Sequence, residues 1–139
     1  MTKFNQGAVK YEIAMSLSKN KCVWISSPHK GAKHDFTIFC EGLKYKVAAG
    51  KFVIADRGYQ SKKPDELMTS SPSRLNKKEV HNFESCARLR QETFNGRLKK
   101  YQILSETFKN TVEKHQLAFE AVCVTIQYQL DNGGILFDI

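Results

Sequence analysis

Two carboxylates in contrasting settings are the residues of this chain best placed to do chemistry. Asp56 ends an apolar stretch, residues 52–55, and precedes Arg57, where a turn exposes its side chain. Glu92 lies in a basic segment predicted to be helical, and 35 residues, numbers 57 to 91, separate the two acids. Carboxylate oxygens are the ligands that Mg²⁺ and Mn²⁺ prefer in proteins. A strand-end acid and a helix-borne acid therefore suit a site that holds divalent metal against a phosphodiester.

Each acid also has an ordinary structural interpretation. Asp56 suits a turn, where an aspartate accepts hydrogen bonds from backbone amides. Helical periodicity places Glu92 almost opposite the main apolar stripe of its helix, which predicts exposure to solvent. Arg88 lies one turn before Glu92 and Lys99 two turns after it. This spacing fits either an i,i+4 salt bridge or a basic channel for phosphates, and the sequence leaves both open.

The first half of the chain reads as strand, strand, helix, strand. Residues 8–17 alternate apolar and polar, which predicts a half-buried strand, and residues 22–26 return as the second strand of a hairpin. Asp35 is expected to cap a short helix over residues 36–43. Gly50 then interrupts the chain before a third predicted strand, residues 51–55, which carries Asp56 at its end.

The second half is predicted to be helical. Residues 60–76 read as an exposed loop, after which Asn76 and Glu79 form a capping box for a helix that runs to about Leu104 or beyond. A last helix spans about residues 115–130 and ends at Asn132-Gly133-Gly134. The apolar residues that recur at three-, four- and seven-residue steps along the long helix are Val80, Phe83, Ala87, Phe94, Leu98, Tyr101, Leu104 and Phe108.

Length and charge bound the class of protein. The 139 residues are the size of one domain, and 22 basic against 14 acidic residues give a net charge of +8. This charge favours polyanionic partners such as nucleic acid. The four scattered cysteines form no C-x-x-C pair, and the first residues form no apolar leader, so we expect a soluble intracellular protein with reduced thiols and no membrane span.

Several common kinds of site are not indicated by the sequence. The four histidines, His29, His34, His81 and His115, do not have the spacing of a zinc site. The glycine-rich phosphate loops and the G-x-S-x-G elbow that mark nucleotide-binding proteins and serine hydrolases do not occur. These observations leave the two carboxylates as the main chemical signal.

Taken in order, the motifs resemble the DDE superfamily endonucleases of transposons, particularly the PIF/Harbinger-like and related bacterial insertion-sequence transposases. The resemblance covers most of the chain and includes residues 9–18, 23–28 and the His34-Asp35 pair. Its strongest points are the Ala-Asp-Arg-Gly-Tyr strand end at residues 55–59, the Arg-x-x-x-Glu-x-x-Asn-Gly-Arg-Leu-Lys helix at residues 88–99, and the closing residues 126–137.

The resemblance implies a ribonuclease H-like fold, a mixed sheet flanked by helices in which three acids collect two magnesium ions about 3.5 to 4 Å apart. By this resemblance Asp56 is the second catalytic and metal-binding acid and Glu92 the third, with Mg²⁺ or Mn²⁺ as cofactor. Arg57, Lys99 and Lys100 are then expected to contact the DNA backbone. The His34-Asp35 pair is expected to support the site without binding metal.

The chain departs from the family pattern at its amino end. The family's first acid ends the first strand, yet no aspartate precedes Asp35 here, and Glu12 is the only earlier acid. Because Glu12 falls inside a predicted strand, we expect it not to replace the missing ligand. We therefore expect an incomplete domain without its first strand and with little or no strand cleavage by this chain alone.

Three functions remain open on the sequence. The first is a nuclease-class domain that is inactive as it stands, the second a DNA- or protein-binding remnant without chemistry, and the third a fragment without function. A eukaryotic relative would reside in the nucleus. The sequence does not predict an oligomeric state, although an oligomer is compatible with it.

Overall fold

A computed structural model of the chain describes residues 2–3, 9–49, 51, 53–55, 59 and 77–136. In these residues the elements follow the order of strands first and helices afterwards. The strands are β1 (Thr2–Lys3), β2 (Val9–Tyr11), β3 (Ile13–Met15), β4 (Cys22–Ile25) and β5 (His29–Lys30). The helices are α1 (Asp35–Glu41), α2 (Lys77–Lys99), α3 (Gln102–Ser105) and α4 (Val112–Asp131), with a 3₁₀ helix at Leu43–Lys46.

The described strands form two small antiparallel sheets. One has the order β1-β2-β5, and the other is the β3–β4 hairpin, in which Ile13 pairs with Ile25 and Ala14 with Trp24. The predicted hairpin is therefore confirmed, and so is the mixed α/β class. Glu12 lies between β2 and β3, at the point where the chain passes from one sheet to the other.

Two local predictions in the first half need correction. Asp35 is the first residue of α1 rather than its cap, because its carboxylate forms an ion pair with Lys10 and His34 takes the cap position with extended backbone. The predicted third strand is reduced to an isolated bridge at Ile54, with Phe52 and Asp56 outside the described residues.

The long helix predicted to reach Leu104 ends at Lys99. Tyr101 adopts extended backbone angles, φ −85° and ψ 115°, and α3 begins after it. In an unbroken helix Leu104 would point about 120° away from Leu98, since six residues turn the helix by about 600°. The break at Tyr101 instead allows both leucines to be fully buried. The predicted cap, Asn76, lies outside the described residues.

The last helix is longer than predicted at its start. Thr111 caps α4, and its side chain accepts a hydrogen bond of 3.4 Å from the Lys114 amide, so the helix begins at Val112. The predicted end is confirmed, because the helix stops at Asp131 and Gly133 has a φ of +97°, which favours glycine.

The larger apolar cluster, here called the helical core, joins β2 to the helices. Tyr11 is fully buried in it, stacks on Phe119 with ring centroids 3.9 Å apart, and shares a 2.8 Å hydrogen bond with His115 Nδ1. Burial lowers the pKa of His115. The buried members are Tyr11, Phe94, Leu98, Leu104, Phe119, Val122, Cys123, Ile126, Leu130 and Leu136.

A second apolar cluster, here called the cleft cluster, packs around α1. Its buried members are Phe39 and Leu43, and Trp24 lies against them. A Cβ on Gly42 would lie 3.0 Å from the Trp24 ring, so glycine permits this close packing. The residues packed around the two buried ones are Ala14, Trp24, Phe36, Cys40, Val47, Val53, Ala55 and Tyr59.

The four cysteines are free thiols, with Cys123 buried and Cys22, Cys40 and Cys86 partly buried. Burial raises the pKa of the Cys123 thiol to about 12, so this thiol is protonated at neutral pH. Among the helices of the described ranges, none combines the length and the apolar character that crossing a membrane requires.

Candidate functional site

A cleft runs between α2 and the residues of the β3–β4 hairpin, the 3₁₀ helix, residues 53–55 and residue 59. The face of α2 that lines it repeats every three or four residues, as one face of a helix must. The polar side chains on this face that are not buried, here called the α2 wall, are Glu84, Arg88, Gln91, Glu92, Asn95 and Lys99. The sequence predicts that Glu92 lies opposite the apolar stripe of its helix. In the structure, this side of α2 lines the cleft.

Glu92 lines the cleft on the exposed side of α2. In the described part of the chain it forms no ion pair with Arg88 or Lys99, although all three side chains line the same cleft. Leu89 is exposed, and a Cβ on Gly96 would meet nothing within 4 Å, so no other element of the described ranges covers this side of α2. Glu92 is therefore accessible to a ligand.

The second predicted acid, Asp56, lies outside the described residues together with Arg57. Its described neighbours along the chain, Ala55 and Tyr59, both line the cleft that Glu92 borders. Oxygen donors of this kind suit Mg²⁺ or Mn²⁺. Within the ranges that the structure describes, no group of three or more acidic, histidine or cysteine side chains is arranged to hold a metal ion.

Basic residues stand on both sides of the cleft. Lys99, predicted to contact DNA, lines it on the α2 wall, whereas Lys100 is exposed but is not among the lining residues. Lys46 and Lys51 lie on the opposite side and are both exposed. Sequence reasoning did not single out these two lysines, because nothing local in their spacing distinguishes them from other surface lysines.

Arg90 fixes α2 against the hairpin. Its Nη1 donates hydrogen bonds to the carbonyl oxygens of Ser16, Leu17 and Lys19, at 3.0, 3.1 and 3.2 Å. The residue is only 5% exposed. The signal for this role was present in the sequence, because Arg90 stands four residues before Phe94 on the buried face of the helix.

The hairpin is also held by α4. The Cys22 amide donates to Gln127 Oε1 at 2.9 Å, and Gln127 Nε2 donates to the carbonyl of Asn20 at 3.1 Å. Backbone groups in a turn need such partners when they leave the sheet ladder. The hairpin that forms one side of the cleft is thus tied to both long helices.

On the other side of β2, Lys10 anchors the start of α1. Its ammonium group donates to Asp35 Oδ1 at 2.9 Å and to the carbonyl of Lys33 at 2.8 Å. Asp35 lines the cleft, and His34 is exposed beside it. The pair therefore lies at the cleft, and its predicted supporting role stays a prediction.

Glu12 is the acid that the sequence reasoning set aside and that the structure places at the site. It is 2% exposed and lines the cleft. Burial raises the pKa of Glu12 to about 6, while hydrogen bonds from Trp24 and Tyr59 oppose that rise. Strand alternation explains the placement, because Tyr11 faces the helical core and its neighbours Lys10 and Glu12 face the opposite side.

Comparison with known proteins identifies one family. The family model described as DDE superfamily endonuclease matches residues 2–127, most of the chain. The resemblance predicted from the ordered motifs is thereby confirmed. No curated protein and no solved structure matches the chain.

Proposed function

Since the chain belongs to the DDE superfamily endonucleases, we propose that it is a transposase-derived domain that binds DNA in the cleft and holds divalent metal there for strand cleavage and transfer. Asp56 and Glu92 are the proposed catalytic carboxylates and metal ligands, with Mg²⁺ or Mn²⁺ as the cofactor. The proposed fold around them is ribonuclease H-like. The observation that carries the proposal is the exposed Glu92, without an ion pair to any described residue, on the α2 wall of a cleft whose other side includes Ala55, the residue before Asp56.

Strand cleavage requires this chain to bind a divalent metal and to bind the DNA backbone. A divalent metal held by Asp56 and Glu92 would activate the attacking oxygen and stabilise the leaving oxygen of the phosphodiester. The carboxylates of Asp56 and Glu92 hold positive charge at the cleft, while Arg57, Lys99 and Lys100 attract and orient the DNA backbone. Lys46 and Lys51, opposite Lys99, extend the same role to the other side of the cleft.

Metal-dependent nicking of supercoiled plasmid tests the proposal. The 139 residues contain no aspartate before Asp35, so a third family carboxylate is not identified in them. We expect little or no cleavage by this chain alone. Efficient Mg²⁺-dependent nicking that Asp56→Asn abolishes would overturn this expectation of inactivity while supporting the assignment of Asp56.

The same assay on the chain extended with family sequence carrying the first acid tests the catalytic assignment itself. We expect cleavage that Asp56→Asn and Glu92→Gln abolish and that Glu84→Gln retains, because Glu84 lies on the same α2 wall and loses the same charge. Failure of a folded extended chain to cleave, or equal loss in all three variants, would contradict the roles of Asp56 and Glu92.

A second candidate function, DNA binding without chemistry, is favoured by the net charge of +8 and by basic residues on both sides of the cleft. Counterion release makes such binding fall steeply with salt, by about one power of salt concentration for each phosphate contact. We expect Lys99→Ala to reduce this salt dependence by about one contact. Binding that is insensitive to salt, or no binding, would count against both functions.

A further inference from the structure

Hydrogen bonds of the Glu12 backbone hold this residue at the cleft. Its amide donates to Ser26 Oγ at 2.8 Å, and its carbonyl accepts from the Ser26 amide at 2.9 Å. Ser26 is itself buried, with 6% of its surface exposed. Both backbone groups of Glu12 are therefore satisfied, and the position of its Cα is fixed between the two sheets.

The carboxyl group of Glu12 has a specific and incomplete set of partners. Trp24 Nε1 donates to Oε1 at 3.2 Å, and a hydrogen bond with Tyr59, which lines the same cleft, lowers the pKa of the carboxyl group against the effect of burial. Within the described residues, Oε2 is buried and has no hydrogen-bond partner. Burial of a carboxyl group with an open acceptor position destabilises the folded state. A residue kept only for packing at this position would be better served by an apolar side chain.

Tyr59 connects this buried acid to the proposed metal site. It follows Asp56 by three residues and packs in the cleft cluster with Val53 and Ala55, which precede Asp56. Trp24, the other partner of Glu12, belongs to the same cluster. Apolar packing fixes how deep Tyr59 lies, but it is not directional, whereas a hydrogen bond to a fixed carboxyl group also fixes its orientation.

We propose that Glu12 is a positioning residue that holds Tyr59, three residues after Asp56, through the Tyr59 hydroxyl, with Trp24 fixing the orientation of the Glu12 carboxyl group. Its consequence for metal binding rests on the proposed function, whereas the contact between Glu12 and Tyr59 does not. The role differs from that of a metal ligand, because Glu12 acts through another side chain.

Hydrogen exchange of the amides in residues 53–59 tests the contact directly. Tyr59→Phe removes only the hydroxyl and keeps the packed ring, so the domain is expected to fold. We expect exchange in this segment to become about 10-fold faster in Tyr59→Phe and in Glu12→Ala, the size expected from loss of one hydrogen bond to a charged group. Exchange in α4 should stay unchanged, and Glu12→Gln, which keeps an acceptor oxygen, should restore most of the protection.

The combined Glu12→Ala, Tyr59→Phe variant separates a shared contact from two independent effects. Two residues that act through one hydrogen bond are not additive, so we expect the combined variant to exchange no faster than Glu12→Ala alone. Wild-type exchange in Tyr59→Phe would overturn the proposal, and so would two effects that multiply. Glu84→Gln is the matched control, because it removes a negative charge from the same cleft and leaves the Glu12 and Tyr59 side chains intact.

Mn²⁺ titration then separates this proposal from the proposed function. Loss of an outer-shell partner typically weakens metal binding by about 10- to 100-fold, and we expect at least the lower value for Tyr59→Phe. Wild-type affinity in Tyr59→Phe together with weakened binding in Asp56→Asn would overturn the positioning role and keep the proposed function. Absence of Mn²⁺ binding in the wild type would contradict both the proposed function and the effect on metal, whatever the exchange rates.

Discussion

The helical core and the cleft cluster are built from similar apolar residues but bury them to different degrees. Phe94, Phe119 and Ile126 in the helical core have no exposed surface, whereas the cleft cluster has two buried members, Phe39 and Leu43, and Leu43 is still 8% exposed. The buried acid, Glu12, lies beside the cleft cluster. Because burial of apolar surface stabilises a fold, we infer that the helical core supplies most of the stability and that the cleft side accommodates polar groups.

The largest expected loss of stability comes from truncation in the helical core. Phe119→Ala should lower the free energy of unfolding by about 3–5 kcal/mol, because it removes a fully buried ring stacked on Tyr11. Urea unfolding measures the change. Leu117→Ala, two residues away and 66% exposed, should stay within about 0.5 kcal/mol of wild type. Equal losses in the two variants would contradict the inferred distribution of stability.

Arg90 connects the two regions, and its loss should have the next largest effect. Arg90→Ala removes the side-chain donor from the Ser16 and Leu17 carbonyls, whereas the Lys19 carbonyl keeps the Lys21 amide. We expect a loss of about 2–3 kcal/mol in the free energy of unfolding. Arg88→Ala, on the exposed α2 wall, should change stability by less than about 0.5 kcal/mol and act on DNA affinity instead. A reversed order of the two variants would show that α2 is fixed by other contacts.

Glu12 on the cleft side should give stability a pH dependence opposite in sign to that of His115 at the helical core, whose lowered pKa makes the free energy of unfolding rise with pH. The pKa of Glu12 is raised in the folded protein to about 6 from an ordinary value of 4.5. The folded state therefore binds the Glu12 proton more tightly, and the contribution of Glu12 to the free energy of unfolding should fall by about 1–2 kcal/mol as pH rises from about 4.5 through about 6. Glu12→Gln should remove this fall, which urea unfolding across that range measures. An unchanged pH profile in Glu12→Gln would contradict the prediction.

Two glycines give the smallest expected effects and opposite signs. Gly96 is helical and has open space around it, so Gly96→Ala should raise the free energy of unfolding by about 0.5–1 kcal/mol through helix propensity. Gly42 lies against Trp24 in the cleft cluster, so Gly42→Ala should lower it by about 1 kcal/mol and shift the fluorescence of Trp24, the single tryptophan of the chain. Effects of the same sign would show that the Trp24 contact yields easily.

Patterns within short stretches of sequence predicted the parts of the fold that form between neighbouring residues. Alternation predicted the β3–β4 hairpin, and helical periodicity placed Glu92 away from the apolar stripe. The turn at Gly133 ended α4 as expected. The order of the motifs also predicted the family. Each short motif is too common to identify a family alone, whereas their order along the chain is specific.

Contacts between distant residues account for what the sequence did not predict. Arg90 donates to the Ser16 carbonyl across 74 positions, and Tyr11 meets His115 across 104. The burial of Glu12 depends on Trp24 from the neighbouring strand and Tyr59 from another segment. Periodicity reports which face of an element is apolar, but not which distant polar group will be buried against it.

Divalent-metal affinity tests the central claim, that Asp56 and Glu92 hold metal in the cleft of a DDE superfamily endonuclease domain. Mn²⁺ titration by calorimetry of the wild type, Asp56→Asn, Glu92→Gln and Glu84→Gln is the direct measurement. The account predicts that Asp56→Asn and Glu92→Gln each weaken binding by at least about 10-fold, since ligand loss should cost no less than loss of an outer-shell partner, and that Glu84→Gln binds as the wild type does. Equal affinity in all four proteins would contradict it.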